Sequence, residues 1–330
     1  NYLIIKLEII AGNLGMSNVC YVPFSFIFLR GQSIKAFSLI SKEAKDENFL
    51  IPYLDKNWKC ENCYLTNSSY NDECNRTPSC NGVKPEDEGY EGAIVLEPKP
   101  GIYIDEPISV LDYASLYPSS IISENISHDT IVLDSKYDNL PGFKYLDITY
   151  DLFKGKGDDK VKIGKKTSRF VQGKENKGLI PRIEEKLLKQ RKATRKKITW
   201  KTIITIINNE KISITGNIKE ETNKYYNIDK NDSGEIITIN KSNIISITDT
   251  YNDFEKAVLN GLQLSFKLTA NSLYVQVGAS TSPIFLKELA ASTTATGRNL
   301  IYKAKKFAED NYNAEIIYGD TDSVFLKLPI

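Results

Sequence analysis

An α+β fold is predicted by three observations. Short apolar runs bounded by turn residues (EGAIVLEP, PISVLDYASLYP and YGDTDSVF) have the composition of β-strands. Two long segments, DFEKAVLNGLQLSFKLTANSLY and LKELAASTTATGRNLIYKAKKFAEDN, carry apolar residues at helical spacing. Between the earlier strands and these helices, KTIITIINNEKISITGNI and GEIITINKSNIISIT form a β-rich excursion around a polar DKNDSG turn.

At 330 residues the chain is long enough for one large or two ordinary domains. Its formal net charge is +1, so overall balance does not mark a nucleic-acid binder. Local basic tracts do point that way: KGKGDDKVKIGKKTSR and KLLKQRKATRKK. No apolar run reaches the length needed to span a bilayer, so no membrane partner is expected. NYLIIKLEIIAGNLG is too short, and too interrupted by Lys6 and Glu8, for a signal peptide. It reads as a helix already under way, in a fragment cut at both ends.

Residues 1–56 are expected to form a strand-and-loop approach segment that includes FLIPY at 49–53. Residues 57–82 change character: cysteine, asparagine and serine rise and aliphatics vanish, as in a small inserted module. Strands resume over 90–130, and 131–178 reads as loop-rich with a basic Gly/Lys end. GLIPRIEEKLLKQRKATRKK has a proline near its start and a basic C-terminal half, which suits a helix and its dipole. The β-rich insertion follows at about 199–250, before the two long helices.

Asp320 and Asp322 stand one residue apart in an apolar run, with Gly319 as the turn or close-approach point. On a strand they would share a face, where like charges repel unless a cation lies between them. Taken alone, the pair could equally be a polar hairpin tip. Asp112 supplies a second carboxylate at the end of an apolar strand, followed by Ser115, Leu116 and Tyr117, with Pro118 expected to stop regular structure. A strand-end carboxylate followed by a turn of outward N–H groups suits a metal plus a phosphate.

The order of DYASLYP, a basic helix, KLTANSLY and YGDTDS resembles motifs A, B and C of family B DNA polymerases. The resemblance covers most of the chain and is nearest in wording to the polymerases of large DNA viruses. It implies a palm, an antiparallel sheet with helices, plus helical fingers carrying the β-rich insertion and a small Cys-rich insertion beside the palm. The implied division is 1–56 joining an exonuclease region to the palm, 57–82 the Cys-rich module and 83–178 the first palm part. Fingers follow over 179–272 and the second palm part over 273–330, cut before the thumb. No set of acidic exonuclease motifs precedes Asp112, so proofreading is not expected of this segment.

The implied activity is template-directed transfer of nucleotides from dNTPs to a primer 3′-hydroxyl, by a two-metal mechanism. Asp112 and Asp322 would bridge Mg²⁺ or Mn²⁺, with Asp320 in support and a carbonyl ligand from Tyr113. Ser115, Leu116 and Tyr117 would bind the nucleotide, the Tyr117 ring rejecting a 2′-hydroxyl. Arg191, Arg195, Lys267 and Asn271 would meet the triphosphate. Tyr274 would pack beneath the nascent base pair. Implied partners are primer–template DNA, dNTPs and a sliding clamp or replication accessory proteins. The implied location is intracellular, in the host nucleus or a viral replication site in the cytoplasm.

One position departs from the family. Val275 stands where glycine usually follows the motif B tyrosine, and a β-branched side chain would crowd the template. That opens a second reading, a catalytically impaired nucleic-acid-binding module derived from a polymerase.

Cys60, Cys63, Cys74 and Cys80 could close a structural Zn²⁺ site, with Cys60-x2-Cys63 a good half and Cys74-x5-Cys80 a loose one. Trp58, Cys60, Cys63, Asn67 and Cys74 also match the spacing of Ran-binding-protein-type zinc fingers, which normally have two residues between their last cysteines. Free thiols are the other reading. Cys20 is expected to be a core thiol, His128 an ordinary loop residue, and the N-x-S/T triplets at Asn67, Asn75 and Asn125 background matches.

Overall fold

A computed structural model describes residues 2–51, 57–68, 71, 73–76, 80–82, 88–104, 106–155, 160–173, 175–208 and 210–329. In chain order the elements begin with helices α1 (Tyr2–Cys20), α2 (Phe24–Leu29) and α3 (Gln32–Asp46). Short strands β1 (Trp58–Lys59), β2 (Thr66–Asn67), β3 (Gly89–Tyr90) and β4 (Val95–Leu96) follow, then β5 (Ile108–Asp112) and α4 (Leu116–Ser123). Next come β6 (Ile131–Val132), β7 (Lys144–Lys154), β8 (Val161–Gln172) and α5 (Leu179–Ile198). Strands β9 (Lys201–Ile207), β10 (Glu210–Glu221), β11 (Tyr225–Lys230), β12 (Ile236–Asn240) and β13 (Ile244–Asp249) lead to α6 (Asp253–Gly278) and α7 (Lys287–Tyr312). The described chain closes with the hairpin β14 (Glu315–Asp320) and β15 (Ser323–Lys327). Among the described residues all strand pairing is antiparallel, in an α+β fold. Among the described residues no helix is long and apolar enough to cross a membrane.

The elements group into two units, Asn1–Lys42 with Glu185–Ser272 and Glu43–Glu184 with Leu273–Ile330. In the first unit α1 crosses α6 where two glycines meet. A Cβ on Gly261 would come within 3.0 Å of the Gly12 Cα, so neither position has room for a side chain. The Ser265 hydroxyl also donates to the Gly12 carbonyl at 3.3 Å. The helix expected at the start of the chain is α1, whereas the rest of the expected strand-and-loop segment is corrected: it forms α2 and α3. Gly12 and Gly15 serve close packing. Pro23 falls between α1 and α2. The expected FLIPY strand runs into residues 52–53, which lie outside the described ones.

The β-rich stretch forms a five-stranded sheet in the order β12-β11-β10-β9-β13. Its core is Ile203, Ile214, Ile228 and Ile239, all buried. Each such side chain contributes about 1.5–3 kcal/mol by leaving water. Gly216 sits where a Cβ would strike the Asp229 carbonyl oxygen at 2.1 Å, so the close approach of β10 and β11 requires glycine there.

In the second unit one sheet runs β4-β14-β15-β5 and another β3-β7-β8-β6. The first packs on α7 through Ile301, Ala308, Ile316, Val324 and Leu326. The second is dominated by the β7–β8 ribbon, paired from Lys144–Gln172 to Lys154–Val161. That ribbon replaces the loop-rich region expected over 131–178. Its lysines and glycines resemble a loop, but they lie on an exposed pleat whose other side chains include the buried Ile148, Tyr150 and Phe170. Residues 156–159 of the basic tract lie outside the described ones.

Helix α5 spans Leu179–Ile198, as its composition predicts. Its N-terminus is capped from afar: the Leu179 N–H donates to the Asp129 carboxylate and the Ile180 N–H to the Ser127 hydroxyl. Both groups satisfy amides that the helix itself leaves without partners.

Candidate active site

Strand β5 delivers Asp112 to its own C-terminal end, paired across from Ser323 of β15. The β14–β15 connection consists of Thr321 and Asp322 alone, because Asp320 pairs with Ser323. Thr321 takes a left-handed backbone (φ 53°), and its N–H donates to the Ile94 carbonyl at 2.9 Å. The two aspartates therefore do not share one strand face, as period-two reasoning predicts. Asp320 ends β14 and Asp322 occupies the turn, where strand alternation no longer applies.

This placement brings Asp322 toward Asp112. The Tyr113 N–H donates to the Asp322 carbonyl at 2.8 Å, tying the residue after Asp112 to the turn. Gly319 makes the close approach expected of it: a Cβ there would meet Leu96 Cδ1 at 2.7 Å. Asp320 is held differently, accepting from the Thr321 hydroxyl at 2.8 Å and the Tyr318 hydroxyl at 3.3 Å. Asp112 and Asp320 are exposed and Asp322 is half-buried. The Asp112 carboxylate has no hydrogen-bonded or cationic partner among the described residues.

After Asp112 the chain turns through Ser115, which is left-handed (φ 57°), and enters α4 at Leu116. Pro118 lies inside the first turn of that helix instead of stopping regular structure. A first-turn residue has no intrahelical use for its N–H, so proline is tolerated there. Leu116 is buried, and Tyr117 is half-buried against Tyr274 of α6, with ring centroids 4.3 Å apart and planes 25° from parallel.

Three further residues build this wall. Gly297 of α7 faces it: an added Cβ would lie 3.2 Å from Leu116 Cδ2 and 3.3 Å from Tyr117 Cε1. The buried Arg298 donates at 2.6 Å to both the Glu91 and Gly92 carbonyls, fixing the strand end that carries Tyr90. The Tyr90 hydroxyl lies where a Cβ on Gly278 would be 3.0 Å away. Burial raises the pKa of Tyr90, Tyr117 and Tyr274 above the ordinary phenol value, and at Tyr117 the Asp322 charge adds to it. All three rings thus stay neutral near the carboxylates. Sequence reasoning missed Tyr90, Gly297 and Arg298 as site residues. The one available signal was a glycine in mid-helix, which costs about 1 kcal/mol and implies a packing reason.

The first unit holds the basic candidates. Arg191 and Arg195 lie one turn apart on α5, and Lys267 and Asn271 lie one turn apart on α6. Arg191 Nε donates to Gln263 Oε1 at 3.4 Å, joining the two helices one turn before Lys267. Burial, with the neighbouring Arg195 charge, lowers the Arg191 pKa. Lys267, Asn271 and Val275 are exposed along α6.

The four module cysteines, Cys60, Cys63, Cys74 and Cys80, bring their sulfurs within 4.8 Å of one another, a donor set able to hold a metal ion. The Leu65 main chain, hydrogen-bonded to Cys63, holds that thiol down to about 6. Cys20 is a buried thiol 3.5 Å from the Thr269 hydroxyl, and burial raises its pKa. His128 lies in the loop after α4 with Nε2 2.9 Å from the Ile284 carbonyl, and burial lowers its pKa.

Comparison with known proteins gives the family. The family model "DNA polymerase family B" matches residues 22–210 and 241–330. The unmatched stretch, 211–240, holds nearly all of β10, β11 and β12. A DNA polymerase of Pyramimonas orientalis virus is 56% identical over 331 residues, covering 100% of this chain and 25% of its own length. The DNA polymerase of Phaeocystis pouchetii virus is 33% identical over 99% of this chain and 28% of its own. A DNA polymerase delta catalytic subunit of Dictyostelium discoideum is 30% identical over 99% and 22%. The structure of the family B DNA polymerase from Pyrobaculum calidifontis superposes with a TM-score of 0.53, at 21% identity over 97% of this chain and 29% of that one; this likeness concerns the fold. The chain belongs to DNA polymerase family B. It spans about a quarter of the length of the viral relatives it matches.

Proposed function

We propose that the full-length protein carrying this chain is a DNA-directed DNA polymerase acting in DNA replication. The observation that carries the proposal is the meeting of the Asp112 strand end with the Asp320–Asp322 hairpin through the Tyr113–Asp322 hydrogen bond. On this reading the unit with the two smaller sheets is the palm, and the unit with α5, α6 and the five-stranded sheet is the fingers.

Asp112 and Asp322 would hold divalent ions, and their oxygen donors suit Mg²⁺ or Mn²⁺. Asp112, exposed and without a cationic partner among the described residues, fits such an ion. Bound there, the ions supply charge neutralisation for the triphosphate and a lower pKa for a primer 3′-hydroxyl. Asp320 supports this pair, and the Tyr113 carbonyl adds an oxygen. Ser115 and Leu116 present the backbone turn to the nucleotide. Tyr117, backed by Gly297 and stacked on Tyr274, offers a ring edge against a 2′-hydroxyl. Tyr274 supports the new base pair, while Arg191, Arg195, Lys267 and Asn271 receive the triphosphate.

The substrates are dNTPs and primer–template DNA, and the accessory partners are of the sliding-clamp kind. The place of action is intracellular, in the host nucleus or a cytoplasmic replication site. Val275 motivates a second reading, an impaired polymerase that binds nucleic acid, since this exposed β-branched side chain replaces the family's usual glycine. Primer extension by the full-length protein with Mg²⁺ and dNTPs separates the two. Extension by wild type, abolished in Asp322→Ala, supports the polymerase. No extension by wild type with recovery in Val275→Gly supports the impaired form.

A further inference from the structure

The described residues of segment 57–82 form almost no apolar core. The buried ones are Trp58, Cys60, Asn67 and Gly82, too few to hold a small module by hydrophobic burial. At its centre sulfur converges. Cys60 and Cys80 Sγ atoms lie 3.7 Å apart and those of Cys63 and Cys74 3.4 Å apart, with all four within 4.8 Å. A tetrahedral ion with metal–sulfur bonds of ~2.3 Å has sulfur–sulfur edges of about 3.8 Å. A disulfide would bring two sulfurs to ~2.05 Å. The spacing fits one ion shared by four thiolates.

The surrounding chain is shaped for that geometry. Antiparallel pairing of β1 and β2 returns the chain so that Cys60 and Cys63 open one tight turn. In this turn the Tyr64 N–H donates to the Cys60 carbonyl at 2.8 Å and the Cys60 N–H to the Leu65 carbonyl at 2.9 Å. Tyr64 adopts a left-handed backbone (φ 62°) to close it. The other half is drawn in from a distance, with the Cys74 N–H donating to the Gly82 carbonyl at 2.8 Å. A Cβ on Gly82 would lie 2.3 Å from Cys60 Sγ and 3.5 Å from Cys80 Sγ, so glycine leaves room for the sulfurs. The five-residue spacing between Cys74 and Cys80 is thus compatible with convergence.

Asn67 completes the support. Its buried amide donates at 3.0 Å to the Leu65 carbonyl and reaches Cys74 Sγ at 3.6 Å, while its oxygen accepts from the Asn75 N–H at 2.8 Å. An N–H group aimed at a sulfur is the kind of outer contact that stabilises a coordinated thiolate.

We propose that Cys60, Cys63, Cys74 and Cys80 bind one structural Zn²⁺ that organises residues 57–82, with Asn67 as the residue that orients Cys74. Four thiolates leave no open position, so this ion takes no part in catalysis. The metal supplies folding free energy that the few buried described residues do not.

The test compares the full-length protein, purified under reducing conditions, with a Cys63→Ser/Cys74→Ser variant and with Cys80→Ser. Zinc content by mass spectrometry should fall by one equivalent per chain in the double variant. Cobalt substitution of wild type should give the intense sulfur-to-metal charge-transfer band of a tetrahedral thiolate site. Cys80→Ser should keep cobalt with that band reduced by about a quarter, one ligand in four. Asn67→Ala should retain zinc but release it several-fold faster to a chelator. Equal zinc in wild type and the double variant would overturn the proposal. So would four module thiols that alkylate freely in the native protein, or that resist alkylation as two disulfides. A Cys80→Ser cobalt spectrum identical to wild type would remove Cys80 from the site.

Discussion

Gly297→Ala tests how the tyrosine wall is held. The new methyl would sit 3.2 Å from Leu116 Cδ2 and 3.3 Å from Tyr117 Cε1, inside the ~3.5–4.0 Å optimum for carbon contacts. Leu116 is buried and Tyr117 is pinned by its stack on Tyr274, so neither neighbour is a loose chain end. Overpacking of this kind costs about 1–3 kcal/mol. Alanine in place of glycine inside a helix contributes about 1 kcal/mol in return. The strain wins, and we expect a net loss of about 1 kcal/mol of stability. The displaced Tyr117 ring should also discriminate less well between deoxy- and ribonucleotides, by up to about tenfold, equivalent to about 1.4 kcal/mol. Thermal unfolding of the full-length protein and a single-nucleotide competition assay read the two effects. A variant at least as stable as wild type, with unchanged sugar discrimination, would refute the claim that Gly297 positions Tyr117.

Tyr117→Ala should remove both the stack and the barrier to the 2′-hydroxyl. The stack contributes about 0.5–1.5 kcal/mol, and ribonucleotide incorporation should rise at least about tenfold while dNTP incorporation persists. Asp129→Ala should destabilise the N-terminus of α5 by about 1 kcal/mol, the usual cost of a lost cap, measurable as faster amide exchange at Leu179 and Ile180. Glu184 is fully buried with no hydrogen-bond partner among the described residues, and burial raises its pKa well above the ordinary carboxyl value. The folded state therefore keeps a proton that the unfolded chain releases above about 4.3. Stability should fall as the pH rises from there toward the folded pKa, and Glu184→Gln should flatten that slope and be the more stable at neutral pH. Parallel pH–stability curves for the two proteins would contradict it.

How far the sequence foretold this arrangement depends on the range of each interaction. Helix α5, the β-rich insertion and the strand ending at Asp112 rest on local composition, and they were readable. Helix α1 was read from NYLIIKLEIIAGNLG, but α2 and α3 were not, because the aromatic run FSFIFL has the composition of a strand. Asp322 was assigned to a strand face because alternation cannot reveal where a two-residue turn begins, and that depends on the pairing of Asp320 with Ser323. Tyr90, Gly297 and Arg298 come from segments as many as 207 residues away from their partners, and no local pattern joins them. The four cysteines were legible as ligands, but their convergence required Gly82 to hold Cys74 in place.

Single-turnover incorporation by the full-length protein, with Asp322→Asn beside wild type and primer–template binding measured in parallel, tests the central claim most directly. The carboxylate arrangement predicts DNA affinity within about twofold of wild type and a loss of incorporation rate of at least about 10³-fold, some 4 kcal/mol of transition-state stabilisation. Incorporation by Asp322→Asn at near wild-type rate would show that the hairpin carboxylate is not part of the chemistry.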